Sequence, residues 1–290
     1  MLKEISKLQK KIQTVQTLLD ALPFIKQFNN QIVVIKYGGA AQTNALLKEK
    51  FAQDIALMYL VGIKPVIVHG GGKAINELLD KLNIETTFHE GQRITTDKVM
   101  EIVEMVLSGK INKEITTLLN HHGAKSIGIS GKDANFIKAK PKDKEKFGLT
   151  GIITQIDKEV VTNLINEKFV PVIAPIAAGD DVTHPGYNIN ADLAASKIAT
   201  AIQAKKIIFL TDTPGVLDKN GHLLSTLTEN DIEYLKENGT IAGGMVPKVD
   251  ACLEAINNGV EKAHIIDGRV EHSLLLEIFT SEGIGTVIKK

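Results

Sequence analysis

A single cysteine, Cys252, is all the thiol chemistry that 290 residues contain. That excludes an internal disulfide and any cysteine-based zinc site, and it fits a reducing cytoplasm. The thiol itself reads as a core residue. Net charge is also lacking, because 34 basic residues face 34 acidic ones. Without a net field, neither nucleic acid nor a membrane surface is an expected partner, and any anion must be caught locally. No apolar run approaches the roughly 20 residues of a membrane helix, and the first residues are lysine-studded and amphipathic, unlike a signal peptide. The expected compartment is the cytoplasm. Common phosphate-binding and kinase signatures are missing too: there is no GxxxxGK[ST], no GxGxxG after the first apolar run, and no HRD or DFG. P-loop, dinucleotide-binding and protein-kinase readings lose their support. Internal repeats and low-complexity tracts are absent, which excludes a solenoid.

What is present is an ordinary globular composition, 43% hydrophobic and 23% charged, at a length that suits one large α/β domain or two lobes with a cleft. Leu2, Ile5, Leu8, Ile12, Val15, Leu19 and Leu22 recur at steps of three and four, predicting an amphipathic helix over 2–22 that ends at Pro23. Two arrangements fit such a stripe: a helix-on-helix seam between subunits, or a helix lying on its own domain. Beyond it, apolar runs at 32–36, 64–69, 126–130, 169–175, 206–212 and 263–267 alternate with helix-like stretches such as 46–61, 73–82, 97–120, 191–204 and 248–258. The alternation predicts a mainly parallel sheet with helices on both faces. The lysine-rich segment 133–157 reads as a charged hairpin excursion from that sheet. We divide the chain into an N-terminal helix (1–24), an N-terminal lobe (25–187) and a C-terminal lobe (188–290).

Two of the apolar runs end alike, as IVVIK-YGG at 32–39 and PVIVH-GGG at 65–72. Ligands bind beyond the carboxyl ends of parallel strands, where glycines let backbone N–H groups approach an anion. Gly38, Gly39, Gly70, Gly71 and Gly72 also serve as plain tight-turn residues. A pair of such turns, one led by Lys36, favours two anion nests on one pocket, each opening a helix whose N-terminus adds positive potential. Arg93, in GQRITTD at 91–97, precedes a helix capped by Thr95 or Thr96. It suits bidentate capture of a carboxylate, or a surface ion pair. In HPGYNINADLAASKIA, 184–199, Asn190 or Asp192 stands near a helix cap, which leaves Asn188 and Asn190 together unexplained by capping alone. Lys248, at the helix start in GGMVPKVD, sits where the helix dipole disfavours a cation, so an anion is expected to compensate it.

In this order and at these intervals, KYGG, VHGGG, GQRITTD, YNINAD, FLTDTPGVLD and GGMVPK resemble the amino acid kinase family, and within it the members that phosphorylate N-acetyl-L-glutamate. The likeness runs from about residue 25 to the C-terminus. It implies a three-layer αβα sandwich with a mainly parallel central sheet, an N-terminal lobe for the acyl substrate and a C-terminal lobe for ATP. The implied reaction is transfer of the γ-phosphoryl of ATP to the γ-carboxylate of N-acetyl-L-glutamate, the second step of arginine biosynthesis. A carboxylate with a reference pKa of about 4.3 is already ionised, so no general base is required. The resemblance implies Lys36 and Lys248 as stabilisers of the transferring group, with Asp192 holding both amines. It gives Gly71, Gly72, Arg93, Asn188 and Asn190 to the acyl substrate, with Arg93 on its α-carboxylate. To the phosphates and ATP it gives Gly38, Gly39, Asp212, Gly215, Val216, Leu217 and Gly244. Mg²⁺ is implied on the ATP phosphates, with no metal ligands from the chain. The N-terminal helix and the segment 267–288 are similar to those of arginine-inhibited, hexameric members, which implies a homo-oligomer, dimer or hexamer, and arginine bound near Glu271, His272 and Gly283. On its own residues His272 also fits a cap or surface position. An acceptor one methylene longer, acetylaminoadipate, is the nearest alternative substrate.

Overall fold

The computed structural model describes residues 2–89, 91–179 and 181–290, with side chains from residue 8 onward. The N-terminal half runs α1 (Leu2–Phe28), β1 (Ile32–Tyr37), α2 (Ala45–Leu60), β2 (Lys64–His69), α3 (Gly72–Lys81), the two-residue strands β3 (Phe88–His89) and β4 (Gln92–Arg93), and α4 (Asp97–Glu104). Helix α4 continues through a π-helical stretch, Met105–Ile111, into α5 (Asn112–His121). Then follow β5 (Ser126–Gly131), β6 (Ile137–Pro141), α6 (Lys144–Phe147), β7 (Gly151–Ile156), α7 (Lys158–Asn166), β8 (Val170–Ala177) and β9 (Tyr187–Asn188). The remainder is α8 (Ala191–Ala201), β10 (Lys206–Thr211), β11 (Thr226–Leu227), α9 (Glu229–Glu237), α10 (Val246–Asn257), β12 (Lys262–Asp267), α11 (Ser273–Phe279) and β13 (Thr286–Ile288).

Eight strands lie in the order β11-β13-β12-β10-β1-β2-β8-β5, and β9 pairs with β8. The four pairings around β1, from β12 to β8, are parallel. Strand residues alternate between two cores. Val33 and Ile35 of β1, Ile67 of β2 and Ile208 of β10 pack under α2, α3, α4, α5 and α11. Val34, Val66, Val68, Ile207 and Phe209 pack on the other face, under α7, α8, α9 and α10. Both sheet faces are therefore buried, which is why the strands read as continuous apolar runs. The architecture is a three-layer αβα sandwich, as expected. The lysine-rich excursion is an antiparallel pair, β6 and β7, with α6 at its tip. The boundary drawn near 187 falls within β9.

The N-terminal helix departs from expectation. It does not end at Pro23 but runs to Phe28, with Pro23 inside. An interior proline removes one N–H and costs about 3 kcal/mol. Here the cost is offset where the last turn docks: Phe28 is buried, and the Lys206 ammonium lies 4.9 Å from the centre of its ring. Asn30, at φ +63, closes the helix instead. Leu8, Ile12, Val15 and Leu19 are 54–59% exposed, so the stripe does not lie on its own domain. Leu2 and Ile5 fall outside the described side chains.

Candidate active site

The chain leaves β1 for β2 on one side and returns to β10 on the other, so the carboxyl ends of β1 and β10 flank the point where strand order reverses. Crevices form there. A cleft of about 690 Å³ opens at this place, lined by Lys36, Gly38, Gly39, Gly71, Gly72 and Asp212 among others. Beside the cleft-lining Lys36, Asp192 sits between two cations. Lys36 Nζ lies 3.0 Å from Oδ1, outside hydrogen-bond angles, and Lys248 Nζ donates to Oδ2 at 3.1 Å. Burial pushes the Asp192 carboxyl up, yet the two ammonium groups outweigh it and hold it below the usual carboxylate range. Lys248 occupies the first turn of α10 and Asp192 the first turn of α8. The anion expected to compensate Lys248 is therefore Asp192. The two lysines come from either side of the β1–β10 reversal.

The first glycine turn bends through Gly39 at φ +68, where a Cβ would stand 2.3 Å from Asp212 Oδ1. Only a glycine backbone fits there. Ala40 N–H donates to that same carboxylate oxygen at 2.6 Å, so an oxyanion already occupies the mouth of the nest.

Arg93 is 7% exposed, not on the surface, and among the described residues no carboxylate lies within ion-pair distance. Its guanidinium donates to Thr86 Oγ1 (3.0 Å), Asn76 Oδ1 (2.6 Å) and Gly72 O (3.3 Å), and it stacks 4.8 Å over Phe88. Burial lowers its pKa. Thr96 is the cap of α4, accepting from Val99 N. Thr95 instead accepts from Asn188 Nδ2 at 3.1 Å and lies 3.0 Å from the Thr150 hydroxyl, which donates to Arg93 O. The β6–β7 excursion thus ties Asn188 to the Arg93 backbone. Asn190 is the cap of α8, with Oδ1 accepting from Asp192 N and Leu193 N, which leaves its amide nitrogen as a donor. Arg93, Asn188, Asn190, Asp192 and Lys248 do not line the 690 Å³ cleft themselves; Arg93 is tied to its wall by the bond to Gly72 O, and Lys248 by way of Asp192 to Lys36.

Of the residues expected around the nucleotide, Asp212 is exposed at the cleft and Gly244 is exposed just before α10. Gly215 and Val216 lie against Thr286 of β13. Val216 N–H donates to Thr286 Oγ1 at 2.8 Å, and Leu217 bridges to Leu223. The three expected effector residues each have a neighbour of their own. Glu271 is exposed beside Lys50 (3.7 Å), and His272 Nδ1 is 2.5 Å from the buried Asp54. Gly283 faces Glu277.

Sequence reasoning missed two buried polar groups. Lys206, His264 and Glu277 cluster under α11, with His264 Nδ1 2.5 Å from Glu277 Oε1. Burial lowers Lys206 to about 8 and depresses His264. The second is His69 with Asn112, whose amide nitrogen is 3.2 Å from His69 Nε2. The one signal available was polarity in places where a buried strand end and a mid-helix face call for apolar residues.

A sequence profile of the Amino acid kinase family matches residues 31–267. An acetylglutamate kinase of a Nitratiruptor species is 74% identical over 281 residues, covering 97% of this chain and 99% of that protein. Among solved structures, an N-acetylglutamate synthase from Neisseria gonorrhoeae, complexed with coenzyme A and N-acetyl-glutamate, superposes with a TM-score of 0.85 at 24% identity, over 95% of this chain and 63% of that one. A carbamate kinase from Giardia lamblia bound to AMP-PNP gives a TM-score of 0.69 at 20% identity, over 90% of this chain and 99% of that one. At those identities the two structures speak for the fold alone. Profile match and high-identity relative together decide the matter: the chain belongs to the amino acid kinase family.

Proposed function

We propose that this chain transfers the γ-phosphoryl group of ATP to the γ-carboxylate of N-acetyl-L-glutamate, giving N-acetyl-L-glutamyl 5-phosphate, the second step of arginine biosynthesis. One observation carries the chemistry: two ammonium groups from opposite sides of the sheet reversal, one of them the cleft-lining Lys36, meet on one buried carboxylate. The 74% identical relative named acetylglutamate kinase supports the choice of substrate.

The acceptor carboxylate is ionised at neutral pH, so the chain's task is alignment and charge stabilisation. Lys36 and Lys248 neutralise the charge spread over the transferring group, and Asp192 keeps the two amines from repelling each other apart. Arg93, a buried cation without a carboxylate partner among the described residues, takes the α-carboxylate. Asn190 offers a donor to the same end, while Asn188 Oδ1 suits the acetamido N–H. Gly71 and Gly72 give backbone N–H groups to the acyl substrate. Gly38, Gly39 and Gly244 frame the phosphates, and the loop Asp212–Leu217 borders the nucleotide, with Asp212 yielding the Ala40 N–H to a phosphate oxygen. Mg²⁺ supplies further neutralisation on the nucleotide phosphates. Among the described residues no group of three His, Cys, Asp or Glu is placed to hold a metal, so in this reading the phosphates carry it.

Two finer readings accompany this one. The exposed stripe of α1 is covered by another copy of the chain, in a homo-oligomer, dimer or hexamer. Arginine, the pathway's end product, inhibits by binding near Glu271, His272 and Gly283, with Glu271 on its guanidinium.

The test is ATP consumption with N-acetyl-L-glutamate, glutamate, aspartate and acetylaminoadipate in parallel. N-acetyl-L-glutamate is expected to lead in kcat/KM. Preference for acetylaminoadipate would move the substrate by one methylene, worth about 1–3 kcal/mol. Turnover of none of the four would sink the enzyme reading.

A further inference from the structure

The second glycine turn is held by a polar network that substrate contacts do not account for. His69, the last residue of β2, is fully buried and sits in register with Tyr37 of β1. Its Nε2 lies 3.2 Å from Asn112 Nδ2, and its Nδ1 lies 3.0 Å from Gly70 O. Asn112 is fully buried as well; its Nδ2 donates to Val172 O at 2.9 Å and its Oδ1 accepts from Lys113 Nζ at 3.0 Å. Those contacts identify the amide nitrogen as the end facing His69. An amide nitrogen only donates, so Nε2 must accept, and the imidazole proton rests on Nδ1, donating to Gly70 O.

A second donor reaches the same carbonyl. Gln42 Nε2, from the turn after the first glycine pair, is 3.2 Å from Gly70 O and 3.0 Å from Tyr37 O. Gly70 N–H also donates to Tyr37 O, at 2.9 Å. The two glycine turns are thus stitched into one unit. The π-helical stretch presses on the turn from outside: a Cβ on Gly71 would stand 2.4 Å from Ile111 Cδ1 and 2.6 Å from Leu107 Cδ2. The next residue is Asn112, so one irregular turn supplies both the apolar stop and the polar anchor. π-turns recur at functional sites for such displacement of side chains.

No described peptide is cis, and in a trans peptide the C=O of one residue and the N–H of the next point in opposite directions. Fixing Gly70 O therefore fixes the Gly71 N–H. We propose that His69, Asn112 and Gln42 are positioning residues for phosphoryl transfer, clamping the Gly70 carbonyl so that the Gly71 N–H stays aimed at the acceptor carboxylate of the acyl substrate. This rests on the kinase reading above. Burial lowers His69 to about 4, so the imidazole stays neutral and the clamp holds across the working pH range.

Four variants and one spectrum test it. Gln42 is half-buried, so Gln42→Met keeps shape and fold while removing both donated bonds. His69→Leu removes the other donor to Gly70 O, and Asn112→Leu frees Nε2. His69→Asn places an amide nitrogen where Nδ1 stands. With ATP and N-acetyl-L-glutamate, Gln42→Met and His69→Leu are expected to lower kcat/KM about ten- to a hundredfold, since misplacement by about 1 Å has that effect. His69→Asn should recover most of the loss, which a packing role for the ring would not allow. Imidazole ¹⁵N shifts of the wild type should show the neutral Nδ1–H form, converting in Asn112→Leu to a mixture. A wild type that turns over, with Gln42→Met and His69→Leu within twofold of it, overturns the clamp. So does an Nε2–H wild-type imidazole, a measurement that needs no turnover and decides the point even where the kinase reading fails.

Discussion

Asp192 carries one negative charge between two positive ones, and its ionisation is a contest of magnitudes. Burying a carboxylate costs several kcal/mol. Each ammonium near 3 Å returns about 5 kcal/mol at an effective dielectric constant of about 20, so two of them win and the charged form persists. Removing the carboxylate charge differs from removing either amine. Asp192→Asn leaves two cations facing each other in a half-dry site and is expected to lose about 3–5 kcal/mol in urea unfolding. Lys36→Ala and Lys248→Ala each leave Asp192 with one partner and unfold closer to wild type. Their single-turnover rates should fall about 10²–10³-fold, the size of a lost charge stabiliser. A fall under fivefold for either lysine would remove it from the transition state.

Element by element, legibility in the sequence follows burial and length. The six apolar runs coincide with β1, β2, β5, β8, β10 and β12 because strands covered on both faces leave no polar interruptions. Lys36, Asp192 and Lys248 were legible because each stands at the end of an element, where a charge has no reason to sit in a core. Strands of two or three residues such as β3, β4 and β11 carry no period to detect. Neither does the π-helical stretch, which adds only a slight slip to the helical pattern of 97–120. His69 and Asn112 are 43 residues apart, and their contact is a product of tertiary packing that no local spacing encodes. The end of α1 was misread for a related reason. A proline is a local stop signal, whereas the burial of Phe28 that overrides it is a long-range gain. The upper part of α1 has no such docking, and its leucines stay exposed; in the homo-oligomer proposed above, a helix of another copy covers them. Deleting residues 2–22 removes the stripe and spares Phe28. The shortened chain should elute on a sizing column as a smaller assembly and require more arginine for half-inhibition. An unchanged elution volume would refute the helix as an assembly element.

For the molecule as a whole, buried titratable groups set how stability responds to acid, and here two of them oppose each other. His69 stays neutral in the fold down to about 4, whereas the unfolded histidine protonates near 6.5. The unfolded state binds the extra proton between those values, so stability falls as pH falls through this window, by about 3 kcal/mol in all. Asp54 behaves inversely. Burial raises it to about 6 against the pull of His272 and the α11 amides, so the folded state takes up a proton between about 6 and the usual carboxylate range. That uptake stabilises by about 3 kcal/mol as pH falls through nearly the same interval. The two slopes cancel, and the wild type should lose little stability between pH 6 and 4.5. His264, which burial depresses in the same sense as His69, adds to the loss. Asp54→Asn keeps an oxygen for the backbone amides of Leu274 and Leu275 but cannot take up the proton. Its melting temperature should match or exceed that of the wild type at pH 7.5, and the difference should shift against the variant as pH falls to 4.5, because the histidine slope then stands unopposed. Parallel melting curves for the two proteins across that range would show that Asp54 is not the compensating group.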